Sequence, residues 1–386
     1  MTANLPGGVT DEVVAAFFAL GLYSPHERSR PFRRIARGFV LCGLFPVVCL
    51  LAAIMDETLL LRGTNGGRGL FEHWGTLTQL ASIPAILFLT YRIVRRLAEA
   101  IAAFTGTNHH EDDSGSAPHP ADDTFVRSAM QLLTCTKPPC RVLLGLLMLT
   151  GFFSLIVNAQ NTRHAERVYG QDVWDSSEHV CGYVAGRLFL GFEWIYIFPV
   201  VAYVAGAAFV VVSMLTKHIV TSERRAPSPF APDGCGGFRV LGQVMLGFVF
   251  LDVPFACIVV AHVVTHDLFY LTLGLAGSLF GLAVGVQLFL PFLDLHRYLK
   301  THKARMLSQL AGMIDGAQAA LLAPDAPGAT APQLTMLALL GAYREARTLN
   351  TWPYLGTDVV KWASPLLPIV TAITSKMLLH ALDVPP

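Results

Sequence analysis

Charge is what this chain has least of. Asp, Glu, Lys and Arg make up 14% of its 386 residues, where a soluble domain carries about 25%. That scarcity, with 53% apolar residues, excludes an ordinary soluble domain and places the chain in the membrane class. The formal net charge is only +1, and no array of basic and aromatic residues is present, so nothing favours a nucleic-acid partner. The first 27 residues contain no Lys or Arg, so a secretory signal lacks its basic start. Val13 to Leu20 is too short to span and reads as a surface helix with Phe17 and Phe18 in the interface. Catalytic signatures are also missing. There is no serine–histidine–acid spacing, no dinucleotide fingerprint and no haem-attachment motif. No cofactor and no metal is expected, and a non-enzyme is favoured over an enzyme.

Long apolar runs are present instead. Spans are predicted at about Phe39–Leu60, Trp74–Val94, Val142–Val157, Leu188–Leu215, Val240–Val264 and Leu268–Leu293, each near the roughly 20 residues that cross a bilayer. A seventh, Val359–Leu382, is interrupted by Pro365 and Pro368. The expected fold is all-α: a polytopic transmembrane helical protein of six or seven spans with a cytosolic helical hairpin. Its expected divisions are a cytosolic N-terminal segment (1–38), a six-helix transmembrane domain (39–297), the hairpin (298–356) and a seventh transmembrane helix (357–386).

Basic residues set the orientation. Arg28 to Arg37 precede the first span, Arg92 to Arg141 separate the second and third, and Lys217 to Arg239 separate the fourth and fifth. Arg297 to Lys361 follow the sixth. This side holds most of the 28 basic residues, so the N-terminus is predicted cytosolic. Of seven cysteines, only Cys181 is expected outside, which leaves no extracytoplasmic disulfide within one chain.

Thr105–Asp123 and Ala323–Pro332 lack the apolar content to fold alone. The second separates two helical stretches. In Tyr298–Leu322, Leu299, Met306, Leu310, Met313, Ala317 and Ala320 fit a three-four spacing that Lys303 breaks. In Gln333–Leu349, Leu334, Leu337, Ala338 and Gly341 form a short apolar stripe. Together they predict the hairpin, packed on itself or on a neighbouring subunit.

Candidate functional residues follow from depth and phase. Asp252 lies mid-span near Pro254; an acid there suggests an ion path or proton site, the alternative being a structural hydrogen bond. Glu193 lies inside the outer end of its span, with Tyr196 and Tyr203 near the same face. It is either part of a polar path or paired with Arg187 or the outer surface. Gln287 and Asp294, seven residues apart, share a face of the sixth span. Gly277, Gly281 and Gly285 recur every fourth residue and make a groove for close helix packing. His262 and His266 are one turn apart but lack a third ligand. His109 to Asp113 reads as a solvated acidic loop.

Pro232-Asp-Gly-Cys-Gly-Gly-Phe-Arg-Val-Leu-Gly242 permits a tight turn and exposes N–H groups, but it lacks the Lys-Ser/Thr ending of a phosphate loop. It resembles a Pro-Asp-Gly-x-Gly-Gly segment of uncharacterised bacterial multi-pass inner-membrane proteins. Ala346-Arg-Thr-Leu-Asn-Thr-Trp-Pro353 is similar to a second segment of that family, of the form Ala-Arg-x4-Trp-Pro. The resemblance implies a bacterial inner-membrane location and carries no activity.

The expected function is a homo-oligomeric ion channel or pore controlled through the hairpin. The alternatives are a proton- or ion-coupled transporter using Asp252 and Glu193, a membrane enzyme using His262 and His266, and a non-transporting sensor or assembly subunit. Expected partners are the lipid bilayer, further copies of the chain and a cytosolic ligand or protein at the hairpin.

Overall fold

The computed structural model describes residues 43–60, 69–105, 120–133, 135–169, 174–222, 227–228, 230–266, 286, 289–322, 330–354, 356–358, 360, 364 and 371. Among them the fold is all-helical, with no strand. The order is α1 (Leu44–Met55), a short 3-10 turn (Leu70–Glu72), α2 (Trp74–Thr105), α3 (Pro120–Leu133) and α4 (Pro138–Tyr169). Then come α5 (Val180–Phe192), a π-turn (Glu193–Ile197), α6 (Phe198–Ser222), α7 (Arg239–His266), a 3-10 turn (Leu290–Phe292), α8 (Leu293–Leu322) and α9 (Thr330–Thr348).

Four helical stretches among the described residues are long and apolar enough to cross a membrane: Trp74–Thr105, Thr124–Phe153, Val180–Ser222 and Arg239–Ile258. The second contains the turn at Cys135, whose φ of 54° is unusual for a non-glycine residue. The expected span Phe39–Leu60 is represented by the 12-residue α1. Most of Leu268–Leu293 and of Val359–Leu382 lies outside the described residues. The outer faces of the spans suit lipid. On α4, Val142, Leu143, Leu146, Leu149, Phe152 and Phe153 are all exposed, an apolar surface that water would not tolerate on a stable monomer.

The chain divides into two compact units. The first takes the described residues of Met1–Ala208, Gly247–Gly281 and Pro365–Pro386, the second those of Phe209–Leu246 and Leu282–Ser364. In the first unit, α2 buries Ile83, Ile86, Thr90, Ile93, Leu97 and Ile101, a three-four repeat that makes one helical face. Thr90 returns its hydroxyl to the Ile86 carbonyl at 2.7 Å, which removes the cost of an unpaired donor in the core. α1 packs on α5, with Phe45 stacked on Phe192 at 4.6 Å between ring centres. Cys49, Ala53, Ile83, Trp174, Ala185 and Phe189 close a core cluster around this pair.

The second unit is built on the α8–α9 hairpin and the loop that leads into α7. Leu295 and Leu299 of α8 are fully buried, as are Ala346 and Leu349 at the end of α9. The Lys303 that interrupts the apolar repeat of α8 has a structural role. Its ammonium donates to the carbonyls of Arg347 at 2.8 Å and Leu349 at 2.7 Å, so it closes the C-terminal end of α9. Burial lowers the Lys303 pKa from its ordinary value. The expected stripe on α9 is turned outward: Leu334, Leu337, Ala338 and Gly341 are exposed. Met336, Leu339, Ala342, Tyr343 and Ala346 are the more buried positions. The anchoring of Ala346 and Leu349 fixes the rotation of α9, and that rotation carries the leucines to the surface.

Candidate functional site

The first unit holds a buried polar centre at the α5–α6 junction. α5 ends at Phe192 and the next five residues, Glu193-Trp-Ile-Tyr-Ile197, form a single π-turn before α6 resumes. Such a turn is rare, and it is found disproportionately at functional positions. Its backbone is held from outside by α4. A methyl group on Gly151 would collide with the Trp194 carbonyl oxygen, so only glycine lets α4 approach this closely.

Glu193 opens the π-turn and is wholly buried. Among the described residues neither of its carboxylate oxygens has a hydrogen-bond partner. Neither alternative suggested for it by sequence occurs there: it does not reach the surface and does not pair with Arg187. Arg187 lies six residues earlier, about 9 Å of helix rise away. Its three guanidinium nitrogens are also buried, without hydrogen bonds among the described residues. What faces Arg187 is the Tyr183 ring, at 5.1 Å from its centre, and the charge of Asp175. Burial pushes the Asp175 carboxyl above its ordinary pKa, and Arg187 and a backbone hydrogen bond pull it back.

The entrance to α5 explains why Asp175 and Arg187 are close. Asp56, just past α1, accepts the Gly182 N–H at 2.7 Å, placing a carboxylate at the positive end of α5. The Trp174 carbonyl lies where a Gly182 side chain would be, and Asp175 Oδ2 is 3.1 Å from the corresponding position on Gly186. The Gly182–Gly186 pair therefore lets the 174–176 turn lie against the helix. Tyr203, expected on a polar face with Glu193, is occupied otherwise: it donates its hydroxyl to the Leu132 carbonyl. Tyr196 stacks on Phe192 at 5.6 Å.

Asp252 is half-buried in α7, two residues before Pro254, and its Oδ2 is buried without a hydrogen-bond partner among the described residues. Asp294 is exposed at the start of α8, 3.8 Å from Arg297. Gln287, the groove glycines Gly277, Gly281 and Gly285, and the stretch His109 to Asp113 lie outside the described residues. Among the described residues no group of three or more His, Cys, Asp or Glu is placed to hold a metal.

In the second unit the two segments singled out by sequence meet. Asp233 Oδ1 accepts the N–H groups of Cys235 and Gly237, both at 2.9 Å, and Oδ2 accepts that of Arg239 at 3.1 Å. The glycine-loop amides that could have cradled an anion are thus turned onto the loop's own aspartate. Gly236 and Gly237 have φ of 70° and 93°, values that favour glycine. Asn350 donates its backbone N–H to the Gly234 carbonyl at 2.9 Å and its side-chain amide to the Tyr354 carbonyl at 2.6 Å. Gly242 lies against the Pro353 carbonyl so tightly that a methyl group would overlap it. Arg239 grips Asp358 through two hydrogen bonds, at 2.8 and 3.2 Å. His296 stacks on Trp352 at 4.2 Å and its Nδ1 lies 3.0 Å from the Thr351 carbonyl. Burial pushes the Cys235 thiol up to about 12, which makes it an inert thiol rather than a nucleophile.

Sequence reasoning found Glu193 and Asp252 from their depth. It offered Arg187 as a partner for Glu193, whereas Arg187 faces Asp175 and Tyr183, and it did not single out Asp175 or the support that Gly151 gives the π-turn. The signal was present in the small-residue pair Gly182 and Gly186, which marks a close approach on α5. No known protein family, curated protein or solved structure matches this chain.

Proposed function

We propose that this chain is a proton- or ion-coupled membrane transport protein in which Glu193 is the membrane-buried acid of the path. One observation carries the reading: a wholly buried carboxylate, without a hydrogen-bond partner among the described residues, sits in the π-turn of the most apolar of the four membrane-crossing stretches among the described residues. An acid in such a place is costly and is kept by default for ion or proton handling. Asp252 is a second acid within the same unit. The path rests in an integral membrane protein with a cytosolic N-terminus, in keeping with the distribution of Lys and Arg. The test is proton flux into vesicles reconstituted with the full chain under a pH gradient. Glu193→Gln is expected to lower flux to the level of protein-free vesicles while the protein stays folded. Undiminished flux in that variant removes Glu193 from the path.

A second reading, a homo-oligomeric pore governed through the hairpin, is favoured by the outward leucines of α9. Leu334 and Leu337 are each about two-thirds exposed, more apolar surface than a solvent-facing helix needs. If copies of the chain cover it, Leu337→Lys is expected to reduce the assembly mass in detergent. An unaltered mass shows that this face does not hold subunits together.

A further inference from the structure

A groove of about 490 Å³ opens in the second unit between the end of α6 and the first turns of α8. Its lining includes Lys217, Asp294, Arg297, Tyr298, His302 and Arg305. Lys217 is the first charged residue after Glu193, so it marks where the apolar run of α6 ends. Three permanent cations face one acid there, and Arg297 is the only one that Asp294 approaches, at 3.8 Å with both side chains largely exposed. Among the described residues Lys217 and Arg305 make no ion pair. The groove therefore has unspent positive charge on a frame made of two helices.

The surface beyond the cations is apolar. Val210, seven residues before Lys217, and Leu293, four before Arg297, are both exposed. Residues four and seven apart share a helix face, so Lys217 and Arg297 each lie on the same face as an exposed apolar residue. A soluble phosphate compound would use the cations and leave these apolar residues bare. A phospholipid uses both, with acyl chains along Val210 and Leu293 and its phosphate among Lys217, Arg297 and Arg305.

We propose that this groove binds the headgroup of an anionic phospholipid at the bilayer surface where α6 leaves the membrane. The proposal depends on the membrane-spanning character of α6 and not on the role of Glu193. Clusters of basic residues beside the end of a spanning helix hold anionic headgroups in this way.

The experiment is native mass spectrometry of the full-length protein, released from nanodiscs containing phosphatidylglycerol and phosphatidylcholine. The parent is expected to retain phosphatidylglycerol in preference to phosphatidylcholine. Arg297→Gln and Arg305→Gln are each expected to weaken that retention about fivefold, the effect of removing one basic residue near a membrane surface. Arg344→Gln, on α9 and outside the groove, is expected to leave it unchanged. Arg305 is exposed, so its replacement keeps the test valid if the Arg297 variant fails to fold. Equal retention of the two lipids by the parent overturns the proposal, as does full retention by the Arg305 variant. Displacement of the lipid by millimolar glycerol 3-phosphate also overturns it, and assigns the groove to a soluble phosphate compound.

Discussion

In the second unit the Asp233 carboxylate accepts three backbone N–H groups, Lys303 donates to two carbonyls, and Arg239 and Asp358 hold each other with two bonds. In the first unit Glu193 accepts no hydrogen bond among the described residues, and the Arg187 guanidinium donates none. Both sets are polar groups removed wholly or partly from water, so the same cost of desolvation applies to both. The bonds named in the second unit offset it there, although the Tyr354 hydroxyl of that unit is also buried without a hydrogen-bond partner among the described residues; in the first unit Arg187 meets the Tyr183 ring and the charge of Asp175, and Glu193 meets no hydrogen-bond donor among the described residues. Polar groups that are fully satisfied specify a structure. Polar groups left without partners weaken the structure around them and persist where something other than stability retains them. The glycine loop of the second unit is architecture, and the π-turn of the first is the place to look for function.

The substitution expected to act most strongly on folding is Asp233→Ala. It leaves three N–H groups at the entrance to α7 without their acceptor. Each unsatisfied buried donor costs about 1–3 kcal/mol, and these are only part-buried, so a total loss of about 3 kcal/mol is expected. Denaturation of the full chain in mixed micelles measures it. A loss below about 1 kcal/mol would mean that water replaces the carboxylate, and the contrast between the units would weaken.

Gly151→Ala comes next, since its methyl group meets the Trp194 carbonyl rather than a flexible side chain. Overpacking of this kind costs about 1–3 kcal/mol. It also presses on the π-turn, so proton flux is expected to fall together with the unfolding midpoint. Gly145, six residues away on the same helix, has open space beside it, and Gly145→Ala is expected to change neither. Equal behaviour of the two variants would show that α4 does not support the turn. A smaller effect, about 1–2 kcal/mol, is expected for Lys303→Met. It keeps the aliphatic stem and removes the two carbonyl contacts that close α9.

How much of this was legible in sequence depended on what each signal measures. Hydropathy reports burial from water and not burial in protein, so it placed spans at Trp74–Val94 and Leu188–Leu215, within the apolar helices Trp74–Thr105 and Val180–Ser222, but could not say which faces touch other helices. Periodicity predicted two helices here, as α8 and α9 are, and left open whether they pack on each other or on a neighbouring subunit; the α9 stripe it singled out is exposed. The stripe through Leu334, Leu337 and Ala338 is as regular as the one that packs, and only the tertiary anchoring of Ala346 and Leu349 decides between them. Lys303 read as an interruption because a one-dimensional pattern does not reveal that its ammonium meets carbonyls more than forty residues away. Glu193 was legible from its depth alone. The π-turn beneath it was not, because a single inserted residue leaves no mark on composition.

Glu193→Gln is expected to have the smallest effect on folding and the sharpest effect on transport. The substitution keeps the length and shape of the side chain and removes its ability to carry a negative charge or release a proton. With neither oxygen accepting a hydrogen bond among the described residues, no native bond is lost, and the change in stability is expected to stay within about 1 kcal/mol. Glu193→Leu goes further, because it removes both orphaned oxygens from an apolar site, and this variant is expected to unfold no more readily than the parent. The two variants together separate the possible roles of the acid. If Glu193 were a structural group with a partner, both would be destabilised, as Asp233→Ala is, and flux would fall only in proportion to lost fold. If Glu193 carries protons, both variants remain folded and both lose flux under the same pH gradient. A stable Glu193→Leu protein with parental flux would leave the buried acid without either role and would end the case for a path through the π-turn.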